Sequence, residues 1–207
     1  MKNLFTASAI AFFSMALTAQ AATITNATTT GTAWSLDGYT STGANSFTLD
    51  LTVLEKHSPF DVVFDITSTP NGADGNSEQT NYLVTLNITN GLPTGPSSSY
   101  MSGFDLLDLG SGAFATDLPA FPAPTSDVFA FENPVSFTTN LPGGDWRFGG
   151  LNGGGTALAS GATAVVTFTY TVSTPDGAGA FAGTSALQFV ANPEPGSIVL
   201  AALALIP

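Results

Sequence analysis

The sequence predicts an all-β protein, an antiparallel two-sheet β-sandwich of immunoglobulin-like or jelly-roll type. An N-terminal signal helix and a short apolar C-terminal segment are expected to flank it. Three observations carry that expectation. Several runs alternate apolar and polar residues with the period of two that turns one strand face to a core and the other to water. Turn signals separate these runs roughly every ten residues. Outside the two ends no stretch has helical periodicity, and no fixed-period repeat points to a solenoid or propeller.

Taken in order, the Thr-rich stretch 22–30 reads as a first strand or leader, followed by Trp34 and Leu36 and an Asp37-Gly38 turn pair. Phe47, Leu49, Leu51 and Val53 then face one way, with Thr48, Asp50 and Thr52 facing the other. Beyond a turn at 56–59, Val62, Phe64 and Ile66 repeat the pattern, as do Tyr82, Val84, Leu86 and Ile88 after a loop at 70–76. The middle is less regular. Residues 91–99 form a Pro/Gly/Ser loop, and 101–109 reads as a strand or one helical turn. Pro119, Pro122 and Pro124 exclude a central strand from 115–126. Two short strands are expected at 128–132 and 135–139, and a glycine-dense loop at 141–155 that holds Trp146 and Phe148. Val166, Phe168, Tyr170 and Val172 give the clearest strand, with Thr167, Thr169 and Thr171 on its solvent face; Leu187 and Phe189 close the domain.

Composition narrows the function. Charged residues make up only 9% of the chain, against 22 glycines, and Lys2, Lys56 and Arg147 are the only cations beside 15 acids. A nucleic-acid binder needs clustered Lys and Arg to displace counterions from phosphates, so that class is excluded. The acidity suits a soluble surface and the gathering of divalent cations. There is no cysteine. Without disulfides, an exported domain of about 170 residues must draw its stability from its core.

Both ends read as targeting segments. Lys2 gives a positive n-region and 4–17 an apolar h-region. Ala19-Gln20-Ala21 is a small-x-small site, so signal peptidase is expected to cut after Ala21. The chain thus divides into a signal peptide (1–21), a sandwich domain (22–191) and a C-terminal segment (192–207). That segment opens with Pro193-Glu194-Pro195, a stiff knuckle poor in hydrogen bonds, and continues with uncharged apolar residues from Ile198 to Ile206. It resembles the PEP-CTERM sorting signal of exported bacterial proteins, in which a Pro-Glu-Pro box precedes a membrane helix and a short basic cluster. The resemblance covers the last sixteen residues. It implies handling by an exosortase-type membrane protease, transient membrane anchoring, and delivery to the cell surface or to an exopolysaccharide-rich extracellular matrix or biofilm. Nine apolar residues make a helix of roughly 14 Å against a hydrocarbon core of about 30 Å. No basic cluster follows before Pro207, and the signal as written is expected to be incomplete.

Chemistry-bearing motifs are sparse. His57 is the single histidine and reads as a solvated turn residue. Ser58 beside it lies in no nucleophile motif. Asp61 with Asp65, and Asp105 with Asp108, are the carboxylate pairs that glycoside cleavage would call on, but any acidic β domain offers as many. No catalytic residue is assigned, and the chain is expected not to be an enzyme. Asn71, Asp74, Asn76 and Glu78 crowd one loop with Gly72 and Gly75, a set of oxygen donors that suits calcium, although Asn-Gly and Asp-Gly are also ordinary turn formers. No other cofactor is expected. Trp146 and Phe148 offer an aromatic platform for a carbohydrate, and Trp34 with Tyr39 a second. As a sugar platform these rings must be exposed; as plugs of the sandwich they must be buried. The expected function is a structural or adhesive role among extracellular polysaccharides, with carbohydrate binding through Trp146 and Phe148 as the alternative.

Overall fold

Alternation decides the architecture. The computed structural model describes residues 22–68, 78–94, 99–109, 112–114, 124–132, 145–149, 157–174 and 181–192. In chain order their strands are β1 (Thr23–Thr30), β2 (Trp34–Gly43), β3 (Ser46–Val53), β4 (Pro59–Ser68), β5 (Glu78–Asn90) and β6 (Gly103–Asp108). They continue as β7 (Gly112–Phe114), β8 (Thr125–Ser126), β9 (Ala130–Glu132), β10 (Asp145–Gly149), β11 (Thr163–Thr174) and β12 (Phe181–Asn192). No helix occurs among the described residues. One sheet has the order β1-β4-β12-β6-β10-β9 and the other β2-β3-β5-β11-β7, with β8 also paired to β11. The two sheets pack face to face as a β-sandwich.

The alternating runs supply the two inner faces. Phe47, Leu49, Leu51 and Val53 of β3, Val84, Leu86 and Ile88 of β5, and Val166, Phe168, Tyr170 and Val172 of β11 are buried on one side. Phe60, Val62, Phe64 and Ile66 of β4 face them with Phe104 and Leu106 of β6 and Leu187 and Phe189 of β12. Aromatic rings join the sheets. The Trp34 ring lies 6.4 Å from Phe60, 6.1 Å from Phe104 and 5.5 Å from Phe189, centroid to centroid. Phe47 meets Phe64 at 5.3 Å, and Trp146 meets Phe168 edge-on at 5.5 Å.

Pairing is antiparallel except between β3 and β5, which run parallel from Ser46↔Leu83 to Val53↔Asn90. Parallel neighbours need a crossover, and here β4 makes it by lying in the opposite sheet. Asn90 pins the far end of β5. Its buried amide donates to the Ser99 carbonyl at 2.8 Å and the Leu158 carbonyl at 2.7 Å, while its Oδ1 accepts the Leu92 N–H at 3.1 Å. Every hydrogen-bonding direction of this buried amide but one lone pair is therefore used.

Two local expectations need correction, and one alternative left open is decided. Asp37-Gly38 is not a turn: it lies within β2, where the register with β3 slips between Leu36 and Gly38. The chain stays extended because Asp37 is fixed as a bulge by the Ser35 and Thr52 hydroxyls at 2.8 and 2.5 Å. The segment 101–109, left open between strand and helical turn, is strand β6, paired on both sides by β12 and β10. Residues 145–149, expected in a loop, form β10 because Trp146 and Phe148 point into the core while Arg147 points out to Asp105. The glycines around this short run hide its period of two. Residues 135–139, expected as a strand, lie outside the described residues.

The contact between β6 and β10 depends on a bare backbone. A Cβ added to Gly103 would stand 2.0 Å from the Phe148 carbonyl oxygen, and only a shift of β10 could relieve that. Gly103→Ala is expected to lower the unfolding free energy by about 3 kcal/mol, read as a lower urea midpoint; an unchanged midpoint would show that β10 is not packed against β6 in this way.

Candidate functional site

The rings proposed as a sugar platform are core residues. Trp146 is 2% exposed and Phe148 0%, and their planes meet at 72°. A platform needs exposed rings that a sugar can lie across, so this reading of Trp146 and Phe148 is overturned. The physical reason is their i, i+2 spacing on β10, which sends both inward to Phe131, Phe104 and Phe168. The second candidate pair fails likewise. Trp34 is 2% exposed, and the half-buried Tyr39 hydroxyl donates to the Ile24 carbonyl at 3.3 Å.

The carboxylate pairs do not converge. Asp61 and Asp65 lie four residues apart on β4, roughly 13 Å along an extended strand, whereas glycosidase carboxylates stand about 5–9.5 Å apart. Each is already held on the outer face: Asp61 by Thr30 and Gln188, Asp65 by Asn26. Asp105 and Asp108 turn to opposite faces of β6, since they are an odd number of residues apart. Asp105 takes Arg147 Nε at 2.7 Å and a second guanidinium nitrogen at 3.3 Å, a bidentate pair on the outer face. Asp108 is buried. His57 is an exposed turn residue at φ 66°, and its N–H donates to the Ala191 carbonyl.

Of the calcium candidates, Asn71, Asp74 and Asn76 lie outside the described residues, and Glu78 opens β5 opposite Thr174. Ala19, Ala21, Pro193, Glu194 and Pro195 also lie outside the described residues. Their borders are well defined: β1 begins at Thr23, two residues after the predicted cleavage point, and β12 ends at Asn192, immediately before Pro193.

Sequence reasoning missed a buried polar cluster between the sheets. Tyr170 on β11 donates its hydroxyl to Asp108 Oδ1 on β6 at 3.1 Å, and it also bonds the Ser185 hydroxyl on β12. Since the tyrosine proton goes to the carboxylate, the serine is the donor in the second bond. The signal was present in the sequence. Phe104, Leu106 and Asp108 share one strand face by the period of two, so an acid occupies a core position. Burial, reinforced by the Asp108 charge, raises the Tyr170 pKa far above its ordinary value. Burial also pushes Tyr82 up to about 12; its hydroxyl donates to the Ala22 carbonyl.

The outer face of the β2-β3-β5-β11 sheet carries rows of short polar groups, interrupted by the exposed apolar side chains of Leu83 and Val165. Cross-strand register places Thr40, Thr48, Thr85, Thr167 and Thr125 in one row, and Ser35, Thr52, Thr89 and Thr163 in another. Thr89 and Thr163 share a hydrogen bond at 2.9 Å, and Asn87 donates to Asp50 at 2.7 Å. Further along β11, Thr169 and Thr171 are buried rather than solvent-facing, and Thr171 donates to Asn81 at 2.6 Å. No protein-family model, curated protein or solved structure matches this chain.

The tyrosines predict an alkaline limit to stability. An unfolded tyrosine loses its proton near pH 10, while folded Tyr82 and Tyr170 keep theirs to higher pH. The folded state therefore binds more protons above pH about 10, and stability, complete below that pH, falls as pH rises through 12. Urea titrations across this range are expected to show the fall, and Tyr82→Phe and Tyr170→Phe each to reduce it. At neutral pH Tyr170→Phe removes a donor from buried Asp108 and is expected to cost about 1–3 kcal/mol.

Proposed function

We propose that the chain is an exported, non-catalytic sandwich domain, presented at the cell surface or in an extracellular matrix by a PEP-CTERM-type tail. Its role is structural or adhesive among extracellular polysaccharides. The observation that carries this reading is the position of the box. The central core strand β12 ends at Asn192 and Pro193 follows directly, so the folded domain hands over to the Pro-Glu-Pro segment without a spacer. A cut in the Pro-Glu-Pro box would fall beyond the last residue of β12 and leave the strand pairing of the domain intact. The rows of threonine and serine on the outer face support the matrix role, because they offer hydroxyls to a hydroxyl-rich polymer beside carboxylates, Asp37 and Asp50, that are already held by Ser35, Thr52 and Asn87.

The test is made in a bacterial host that carries an exosortase-type protease. The chain is expressed as given and also extended beyond Pro207 with a membrane-spanning apolar helix and an arginine cluster. The extended chain is expected to appear as a membrane-associated precursor and a shorter surface or released form, whose mass places the cut near Glu194. Glu194→Ala in the extended chain is expected to leave only precursor. Release with an intact C-terminal segment, or processing that ignores Glu194, would contradict the sorting assignment.

A further inference from the structure

The two sides of the sandwich end differently. On one side the described edge strands are short: β9 and β7 have three residues each and β8 two. On the other side two long strands, β1 and β2, form the edges of the two sheets. An open edge presents unpaired N–H and C=O groups to any other strand, and proteins usually blunt it with bulges, charges or proline. β2 is blunted by two register shifts and by Asp37. β1 has one shift, between Ile24 and Asn26; from Asn26 to Thr30 it pairs regularly with β4 and carries no charge and no proline. Asn26, Thr28, Thr29 and Thr30 are exposed, and among the described residues no strand pairs with this edge.

We infer that β1 is a self-association edge, on which a second copy of this chain adds its own β1 antiparallel about a two-fold axis at Thr28. Such pairing sets Asn26 opposite Thr30, Ala27 opposite Thr29, and Thr28 opposite itself. Whichever alternate set of backbone groups points outward, the two copies present the same set, so the ladder closes by symmetry. The side chains agree. Thr28 meets Thr28 as a hydroxyl pair of the kind that stabilises adjacent strands. Asn26 and Thr30 already hold Asp65 and Asp61 back on β4, each at 3.1 Å. In the paired sheet the carboxylates sharing a row, Asp65 of one copy and Asp61 of the other, stand three strand spacings apart, roughly 14 Å. That exceeds the screening length of about 8 Å at physiological salt, so the acidic chain meets itself here with little repulsion.

The contact is small and belongs to the weak class that depends on local concentration, which a surface or matrix supplies. It also has a direction. β12 runs parallel to β1, since both are antiparallel to β4. Two-fold pairing through β1 therefore sends the two chains out past Asn192 at opposite ends of the joined sheet. If residues 193–195 are the sorting box, the pair links two layers rather than lying on one.

The chain has no cysteine, so one introduced thiol reports the contact alone. Thr28→Cys in the exported protein is expected to form a disulfide-linked dimer under mild oxidation, because residues facing each other across an antiparallel pair have Cα atoms about 4.5–5.5 Å apart. Thr40→Cys, exposed on the other sheet, is expected to remain monomeric. In sedimentation at rising concentration, Thr28→Lys and Thr28→Glu should each abolish the dimer and their mixture should restore it, all with unchanged circular dichroism. Cross-linking no faster at residue 28 than at 40, or no association in the Lys/Glu mixture, overturns the inference. Neither readout depends on sorting, so failure here leaves the tail assignment to its own test.

Discussion

Burial of aromatic rings between the two sheets is the interaction on which the rest of the structure depends. With no disulfide and few ion pairs available, stability has to come from apolar area, and aromatic side chains carry the most of it per residue, about 150–250 Å² each. Trp34 is the clearest case: one ring from an edge strand reaches Phe60, Phe104 and Phe189 on three strands of the facing sheet. Its Nε1 has no hydrogen-bond partner among the described residues, so the indole is placed there for volume. Phe47 with Phe64, and Trp146 with Phe168, repeat the arrangement elsewhere. The same fact governs the functional reading. The rings read as sugar platforms, Trp146 with Phe148 and Trp34 with Tyr39, are packed in or against the core that holds the sheets together.

Polar groups divide into two populations with different tasks. Inside, the Asp108–Tyr170–Ser185 cluster and the Asn90 amide fix how the sheets and loops sit relative to one another; buried polar groups do this well only when their bonds are made. Outside, carboxylates are engaged locally, by hydroxyls and amides at Asp37, Asp50, Asp61 and Asp65 and by a guanidinium at Asp105. Among the described residues these carboxylates are therefore held charges set among short neutral donors and acceptors.

Much of the fold was legible because period-two alternation in β3, β4, β5 and β11 states directly which face is buried. It does not state which strands are neighbours, and so the parallel β3–β5 pair could not be read. Alternation also needs length. β10 offers only Trp146 and Phe148 inside a glycine-rich context, and the two rings looked like a loop platform when they were core. Asp37-Gly38 was misread for a related reason: turn-forming residues also make bulges, and only cross-strand partners such as Thr52 decide between the two. The buried acid at 108 could have been found, since it continues the inward series of Phe104 and Leu106. The thiol-free, uncharged run of β1 was plainly visible, but its meaning as an edge required the sheet order. The targeting segments and most of the calcium loop rest on sequence pattern alone.

The central claim is that the large rings form the bond between the sheets and not a ligand surface. Tryptophan emission tests it most directly, since Trp34 and Trp146 are the two indoles of the chain. The account predicts blue-shifted emission, weak quenching by acrylamide, and no change on adding soluble polysaccharides. A red-shifted, readily quenched component, or a spectral shift on addition of a polysaccharide, would place at least one indole at the surface and contradict it.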